Sequence, residues 1–438
     1  MKKYGTKRVL TLHQKIFFTF LILVGYRLLS HIPLPFVNRD YIQNLVDTNG
    51  ALNLLNTLTG GNLENMSVVA MGITPYITAS IVLQLLGVVF PRLAELQKEG
   101  SVGQKRMKQI TIATGVALGA FQAVCMLIGY GRQGFLSSFT WYTVLIPSVI
   151  MVAGVFVLSY AGQFISDHLF GNGISLILVT GILCSYLSDG NNLFLTLTTG
   201  WELPLQIVFC VLAVLVVVLL FAFTVWLLYC EKQIHVTYSG KMSMYGQTGA
   251  DTVIPLKLVG GSVVPIIFAS SILTIPSLIQ SFFGIDLTIL HIFNTNYWLN
   301  PDEPWASIGL ILYFVMILGF SYYYQSLNLN ERELSLNLKK HGGVIDGIRP
   351  GKPTEEYLRR QMKYLTMLGG FGLCIIAFVP ICVNAFLHVQ NLSFLGTSII
   401  IVVSVLIETG KKYKADKQGQ AYDVSDTFLG MKKGGKTA

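Results

Sequence analysis

Ten apolar stretches constrain this chain more than anything else in it. A helix needs about 20 consecutive, mostly apolar residues to cross the hydrocarbon core of a bilayer. Stretches near that length run over 15–32, 68–90, 110–130, 144–165, 171–187, 205–229, 258–283, 307–327, 365–387 and 395–408, the last being short. Only 12% of the 438 residues are charged, against about 25% in a soluble domain, and the charges gather in the connections. The fold expected is all-α and polytopic, with ten transmembrane helices. Ten spans divide into five and five, and an odd number per half permits two halves of opposite orientation. No self-similarity in the sequence displays such a repeat. The halves fall at 1–190 and 191–410; the second carries two long connections, 230–257 and 328–363, and a basic tail follows at 411–438.

The connections alternate in charge. Lys2, Lys3, Lys7 and Arg8 precede the first span. Arg92, Lys98, Lys105, Arg106 and Lys108 follow the second, and Lys232 and Lys241 follow the sixth. Arg332, Lys339, Lys340, Arg349, Lys352, Arg359 and Arg360 follow the eighth, and the tail is rich in lysine. The other connections hold little basic charge, Arg39 and Arg132. By the positive-inside rule both termini are cytoplasmic, in a multi-pass protein of the cell membrane. The net charge of +9 therefore reads as topology rather than as a nucleic-acid footprint.

The residue patterns exclude several chemistries. The six cysteines lie in or at the edge of apolar spans without a CxxC pair, so they read as small buried hydrophobes rather than disulfides or zinc ligands. The seven histidines fall at span ends or in connections, without metal-ligand spacing. No Walker loop, HExxH or GxSxG is present, and an enzyme, a cofactor and a metal are not expected. Arg27 is the clear intramembrane charge, with Asp167 at a span boundary. Arg27 calls for a backbone carbonyl or a carboxylate, and the sequence leaves both open.

Residues 53–90 look like a broken membrane segment: a half-polar piece joined to a long apolar one through Gly60, Gly61, Gly72 and Pro75. Non-helical backbone at membrane depth is tolerated only where protein or a water-filled cavity satisfies it. An aqueous path therefore belongs beside this break.

Gly72-Ile-Thr-Pro-Tyr-Ile-Thr-Ala-Ser-Ile-Val-Leu-Gln-Leu-Leu86 closely resembles the second span of the SecY family of protein-conducting channels. In the same order, Lys98-Glu-Gly-Ser-Val-Gly-Gln-Lys-Arg106 is similar to that family's first large cytoplasmic loop, and Gly171-Asn-Gly-Ile-Ser175 to the start of its fifth span. Ile254-Pro-Leu-Lys257 and Val264-Pro-Ile-Ile-Phe-Ala-Ser-Ser271 resemble the approach to the seventh span and the span itself. Asn337-Leu-Lys-Lys340, Gly347-Ile-Arg-Pro-Gly351 and Gly396-Thr-Ser398 complete the series. Two places depart from the family pattern. Gln109-Ile-Thr111 replaces an Arg-Tyr pair, and Glu231-Lys-Gln-Ile-His-Val-Thr-Tyr238 lacks the usual arginines.

The resemblance implies a central pore between the halves, closed at mid-membrane by an aliphatic ring: Ile77, Ile81, Ile174, Leu178, Ile267 and Ile401. Ile77/Ile81 and Ile174/Leu178 are spaced i, i+4, so each pair shares a helix face, and an apolar constriction blocks hydrated ions by dewetting. From spacing alone the six read as ordinary packing or lipid-facing residues, since apolar side chains are the default in spans, and the resemblance alone assigns them to a ring. Residues 56–67 (Asn56, Thr57, Leu58, Thr59, Gly60, Gly61, Asn62, Leu63, Glu64, Asn65, Met66 and Ser67) would be a plug on the ring, polar enough for a half-wet funnel and freed to move by Gly60–Gly61; a plain re-entrant helix is the alternative. Arg349, Lys105, Arg106 and Arg332 would face a cytosolic partner, with Gly347, Pro350 and Gly351 projecting Arg349 from a turn.

The implied partners are a SecA-type motor ATPase, a SecE-like single-span subunit, an unfolded preprotein with its signal sequence, and membrane lipid. The arginine-poor 231–238 segment is similar to that of accessory SecY paralogues serving a restricted set of glycosylated surface adhesins, with accessory Sec proteins as further partners. A housekeeping channel for general secretion is the other reading. A small-solute transporter with inverted repeats is a more distant one, set back by the scarcity of polar residues at mid-depth.

Overall fold

The structure is a computed structural model and describes residues 11–48, 50–198, 203–238, 252–260, 263–283, 288–299, 303–387 and 395–434. The chain separates into two compact units, residues 1–190 with 405–438, and residues 191–404.

The first unit begins with α1 (Leu12–Leu29), α2 (Arg39–Thr48) and α3 (Gly50–Thr59). After a turn-rich passage come α4 (Thr74–Val89), α5 (Pro91–Lys98), α6 (Gly100–Tyr130), α7 (Trp141–His168) and α8 (Gly173–Thr198), whose residues from Asn191 on belong to the second unit. Thr140 opens α7 with a reciprocal cap, its side chain meeting the Thr143 backbone while Thr143 returns the bond, which satisfies N–H groups the helix itself leaves free. Gly154 lets α7 approach the chain so closely that a Cβ there would fall 2.3 Å from the Val68 carbonyl oxygen. Small residues at helix contacts are how membrane helices gain packing when apolar burial alone drives nothing.

The second unit holds α9 (Leu203–Tyr229), β1 (Glu231–Tyr238), β2 (Thr252–Lys257), α10 (Val264–Phe283), α11 (Ile308–Asn328), α12 (Glu331–Lys340), β3 (Gly343–Ile345) and α13 (Lys352–Leu387). The last helix, α14 (Leu395–Gly434), starts in this unit and continues into the first. There Lys412 Nζ donates to Gly171 O at 3.0 Å and Tyr413 meets Phe170 edge-on.

Among the described residues, five helices are long and apolar enough to cross a membrane, over Leu12–Leu29, Val102–Tyr130, Trp141–His168, Pro304–Lys340 and Lys352–Val383. Shorter apolar helices cover Thr74–Gly87, Gly173–Tyr186, Val214–Tyr229 and Val264–Ser277. Large apolar side chains are exposed along them, such as Phe17, Phe20 and Leu21 on α1 and Val211, Val214, Val218 and Trp226 on α9. Water would not tolerate patches of this extent, and the fold is that of a helical, membrane-embedded protein.

Several sequence expectations need correction. The segment 68–73 is turns, and α4 begins at Thr74, because the Gly72 backbone is left-handed at φ +53° and Pro75 suits a helix's first turn. The basic connection at 97–108 is helical: α5 covers its start and α6 begins at Gly100, so Lys105 and Arg106 are exposed on the first turns of a 31-residue helix. The tenth span, expected over 395–408, belongs to a helix reaching Gly434.

The fold also contains a sheet that the all-α expectation omitted. Its order is β2-β1-β3, antiparallel throughout, with Ile234 opposite Ile254 and Val236 opposite both Thr252 and Ile345. Alternation in β1 sends Ile234 and Val236 to one face. There they bury with Leu256, Leu338, Ile345, Leu358 and Met362, so β-strands, α12 and the start of α13 share one small apolar core. The connection 239–251 lies outside the described residues.

Candidate functional site

The break between α3 and α4 is a built object. α3 ends in a glycine cap. Gly60, at φ +77°, donates its N–H to Thr57 O at 3.2 Å, and Gly61 donates to Asn56 O at 2.9 Å. This pair of bonds, closed through a left-handed residue, satisfies carbonyls that the end of a helix leaves unpaired. The carbonyls of Thr59, the last helical residue, and of Gly60, just past it, are not used by this cap.

α1 takes both. The Tyr26 hydroxyl donates to Thr59 O at 2.9 Å, and Arg27 Nη1 donates to Gly60 O at 3.1 Å. Asn62 Nδ2 donates in turn to the Tyr26 hydroxyl at 2.8 Å and to Thr59 O. The intramembrane arginine thus answers to a backbone carbonyl, one of the two partners the sequence left open. Its cation sits where the α3 dipole is negative.

The segment is pinned on two other sides. Gly60 lies against Gly181 of α8, where a Cβ on Gly60 would come within 2.3 Å of the Gly181 Cα. The Glu64 carboxylate accepts from Asn56 Nδ2 and from Gln43 Nε2 of α2, both at 3.1 Å, while its backbone N–H donates to Asn56 Oδ1 at 3.0 Å. The way out is stitched to the residues after α1: Leu34 N–H donates to Met66 O at 2.8 Å and Val68 N–H to Ile32 O at 2.9 Å.

Two expectations for 56–67 change accordingly. Asn56, Thr57, Thr59 and Asn62 are buried, with 8%, 8%, 2% and 1% of their surface exposed, so their polarity serves hydrogen bonds inside protein; Asn65 is exposed. Gly60 and Gly61 are used for a left-handed cap and a close backbone approach.

A second set of expected site residues gathers on the sheet core. Residues 346–351 form a turn with Gly347 at φ +77° and Gly351 at φ +111°. The turn is closed by Ile348 N–H to Ile345 O at 3.0 Å, Thr354 Oγ1 to Arg349 O at 2.8 Å, and Ser335 Oγ of α12 to Gly351 O at 2.8 Å. With its backbone so tied, the Arg349 side chain stands exposed at the tip. Arg332 is exposed on the first turn of α12, which Asn330 caps by accepting from Glu333 N–H. Among the described residues, no group of three or more His, Cys, Asp or Glu is placed to hold a metal ion.

The profile of the SecY family matches residues 67–410. The protein translocase subunit SecY of Halalkalibacterium halodurans is 34% identical over 423 residues, spanning 95% of this chain and 97% of that protein. The chain belongs to the SecY family. The fold agrees with that membership. A solved protein conducting channel aligns with a TM-score of 0.63 at 17% identity, over 94% of both chains. A SecY protein whose plug domain stabilizes the closed state of its channel aligns at 0.61 and 18% identity, again over 94% of both.

Of the six ring residues expected in this SecY-family chain, none is exposed. Ile81 and Leu178 in the first unit are buried at 3% and 4%, as is Ile401 in the second at 3%, while Ile77, Ile174 and Ile267 are half-buried. Ile77 and Ile81 stand on α4, Ile174 and Leu178 on α8, Ile267 on α10 and Ile401 on α14. Sequence reasoning missed Tyr26, Gln43 and Gly181. A tyrosine beside an intramembrane arginine was the available signal for the first; nothing local distinguishes Gln43 or Gly181.

Proposed function

We propose that this chain is the central, pore-forming subunit of a protein translocase, moving unfolded preproteins across or into the cell membrane with both termini in the cytoplasm. The observation that carries the reading is the capped, protein-seated break at 56–67 inside a chain that matches the SecY family along nearly its whole length. In a solved relative of this fold the plug domain stabilizes the closed state and maintains a membrane seal; residues 56–67 take that role here. Ile77, Ile81, Ile174, Leu178, Ile267 and Ile401 form the apolar constriction. Aliphatic side chains exclude hydrated ions and still yield to any passing sequence, since they demand no particular hydrogen bond. The protein supplies a path and a gate. A SecA-type ATPase supplies the energy, engaging Arg349, Arg332, Lys105 and Arg106, and a SecE-like subunit clamps the helices.

The test is reconstitution. Vesicles carrying this chain and a SecE-like subunit should protect a preprotein from external protease only when a SecA-type ATPase and ATP are added. Saturable uptake of a small solute with no protected preprotein would overturn the reading in favour of a transporter. Separately, Ile77→Asn and Ile267→Asn should each make the resting channel leak ions in planar bilayers. Wild-type conductance in both would remove the ring assignment.

A restricted, accessory role is the finer reading, supported by Glu231–Tyr238, whose charged residues are Glu231 and Lys232 with no arginine. A head-to-head assay of a glycosylated serine-rich adhesin against an ordinary preprotein decides it. Preference for the ordinary preprotein would make this a housekeeping channel.

A further inference from the structure

We propose that Tyr26 and Arg27 of α1 are the latch of the closed channel, and that Asn62 is its strike plate on the segment that moves. The proposal rests on the reading of 56–67 as a plug and adds what holds that plug in place.

The glycine cap of α3 leaves Thr59 O and Gly60 O unused; Asn62 of the same segment reaches Thr59 O, and α1 supplies a donor to each of the two. In a membrane interior an unpaired carbonyl is expensive. Tyr26 and Arg27 supply donors at 2.9 and 3.1 Å, and Asn62 reaches back to Tyr26 at 2.8 Å. Tyr26 is 4% exposed and Asn62 1%, so the bonds between them and to Thr59 are shielded from competing water, while Arg27 is half-buried. These bonds are directional. A displacement of one or two ångströms would break them together, and an aqueous path would then solvate the freed carbonyls. That combination gives two states, seated and released, rather than a graded motion. Glu64 with Gln43 and Asn56 adds a second tie on the outer flank. The Gly60–Gly181 approach sets how deep the segment sits, since backbone meets backbone there. The arrangement also explains an arginine within an apolar span: its guanidinium donates to the end of a broken helix.

The test places Thr57→Cys, buried in the seated segment, in a chain whose six native cysteines are replaced by alanine, and follows its labelling by a membrane-impermeant maleimide. Arg27→Met, which removes a charge-assisted donor, should raise the labelling rate roughly tenfold, and Tyr26→Phe about fivefold, as lost hydrogen bonds shift the seated–released balance. Arg27→Lys keeps a cationic donor and should stay within about twofold of the parent. Asn62→Ala loosens the same latch from the segment's side and carries the test if an α1 variant fails to accumulate in membranes. Unchanged labelling in Arg27→Met and Asn62→Ala would overturn the latch. Deletion of 56–67, assayed for ion conductance, keeps the two readings apart. A leaky deletion with flat labelling sinks the latch alone. A tight deletion with raised labelling keeps the latch and removes the plug.

Discussion

The break at 56–73 and the sheet core around β1 are both departures from plain membrane helix, and both bury apolar side chains, but the break adds buried side-chain hydrogen bonds to neighbouring helices. The break is tied by hydrogen bonds from α1 and α2 and by the close approach of Gly181 and Gly154 to its backbone, around the buried side chains of Leu58, Leu63, Met66, Val69, Met71 and Ile73. The sheet core is fixed by seven buried apolar side chains drawn from two strands of one connection, a strand and helix of another, and α13. Apolar burial is non-directional, whereas a hydrogen bond holds only within a limited range of distance and angle.

Substitutions can separate the two, read by amide hydrogen exchange on protein in nanodiscs. Leu358 is fully buried in the sheet core, and Leu358→Ala should destabilise that core by about 3 kcal/mol. Exchange should rise through β1, β2 and β3 and leave 56–67 unchanged. Spread of the effect to 56–67 would break the contrast. Gly60→Ala should do the reverse at about 2 kcal/mol, since its Cβ meets the Gly181 backbone and its φ of +77° disfavours a side chain. Exchange should rise over 56–67 alone. Asn330→Ala removes the cap of α12 and should cost about 1 kcal/mol, seen as fraying of its first turn with the Arg349 turn still protected. Lys108→Ala breaks an exposed ion pair with Asp167 at 2.6 Å and should cost less than about 0.5 kcal/mol, leaving both regions untouched. A large effect there would mean that surface charge holds the first unit together.

The positions of the long helices were legible because a bilayer imposes its thickness on any chain that crosses it. So was the break, because an adjacent glycine pair ends a half-polar stretch and Gly72 and Pro75 stand before the apolar run. The turn around Arg349 was legible too, since two glycines and a proline around one arginine are turn residues, and Gly347 and Gly351 take left-handed backbone in the fold. The strands were harder. Ile234 and Val236 alternate as a half-buried strand does, but eight residues of such a pattern say little until β2 and β3, far along the chain, supply partners. The helical course of 97–108 was hidden because basic loop and basic helix share a composition.

By itself the sequence determined that this chain lives in a membrane, where its helices lie, where one of them is interrupted, and which family it resembles. Only the tertiary structure decided what the interruption touches. Tyr26 and Thr59 are separated by 33 residues, and Gly60 and Gly181 meet although a hundred and more residues lie between them. Periodicity and composition describe each element against its solvent, whereas a hydrogen bond or a backbone contact is a relation between two elements that exists only once the chain has folded.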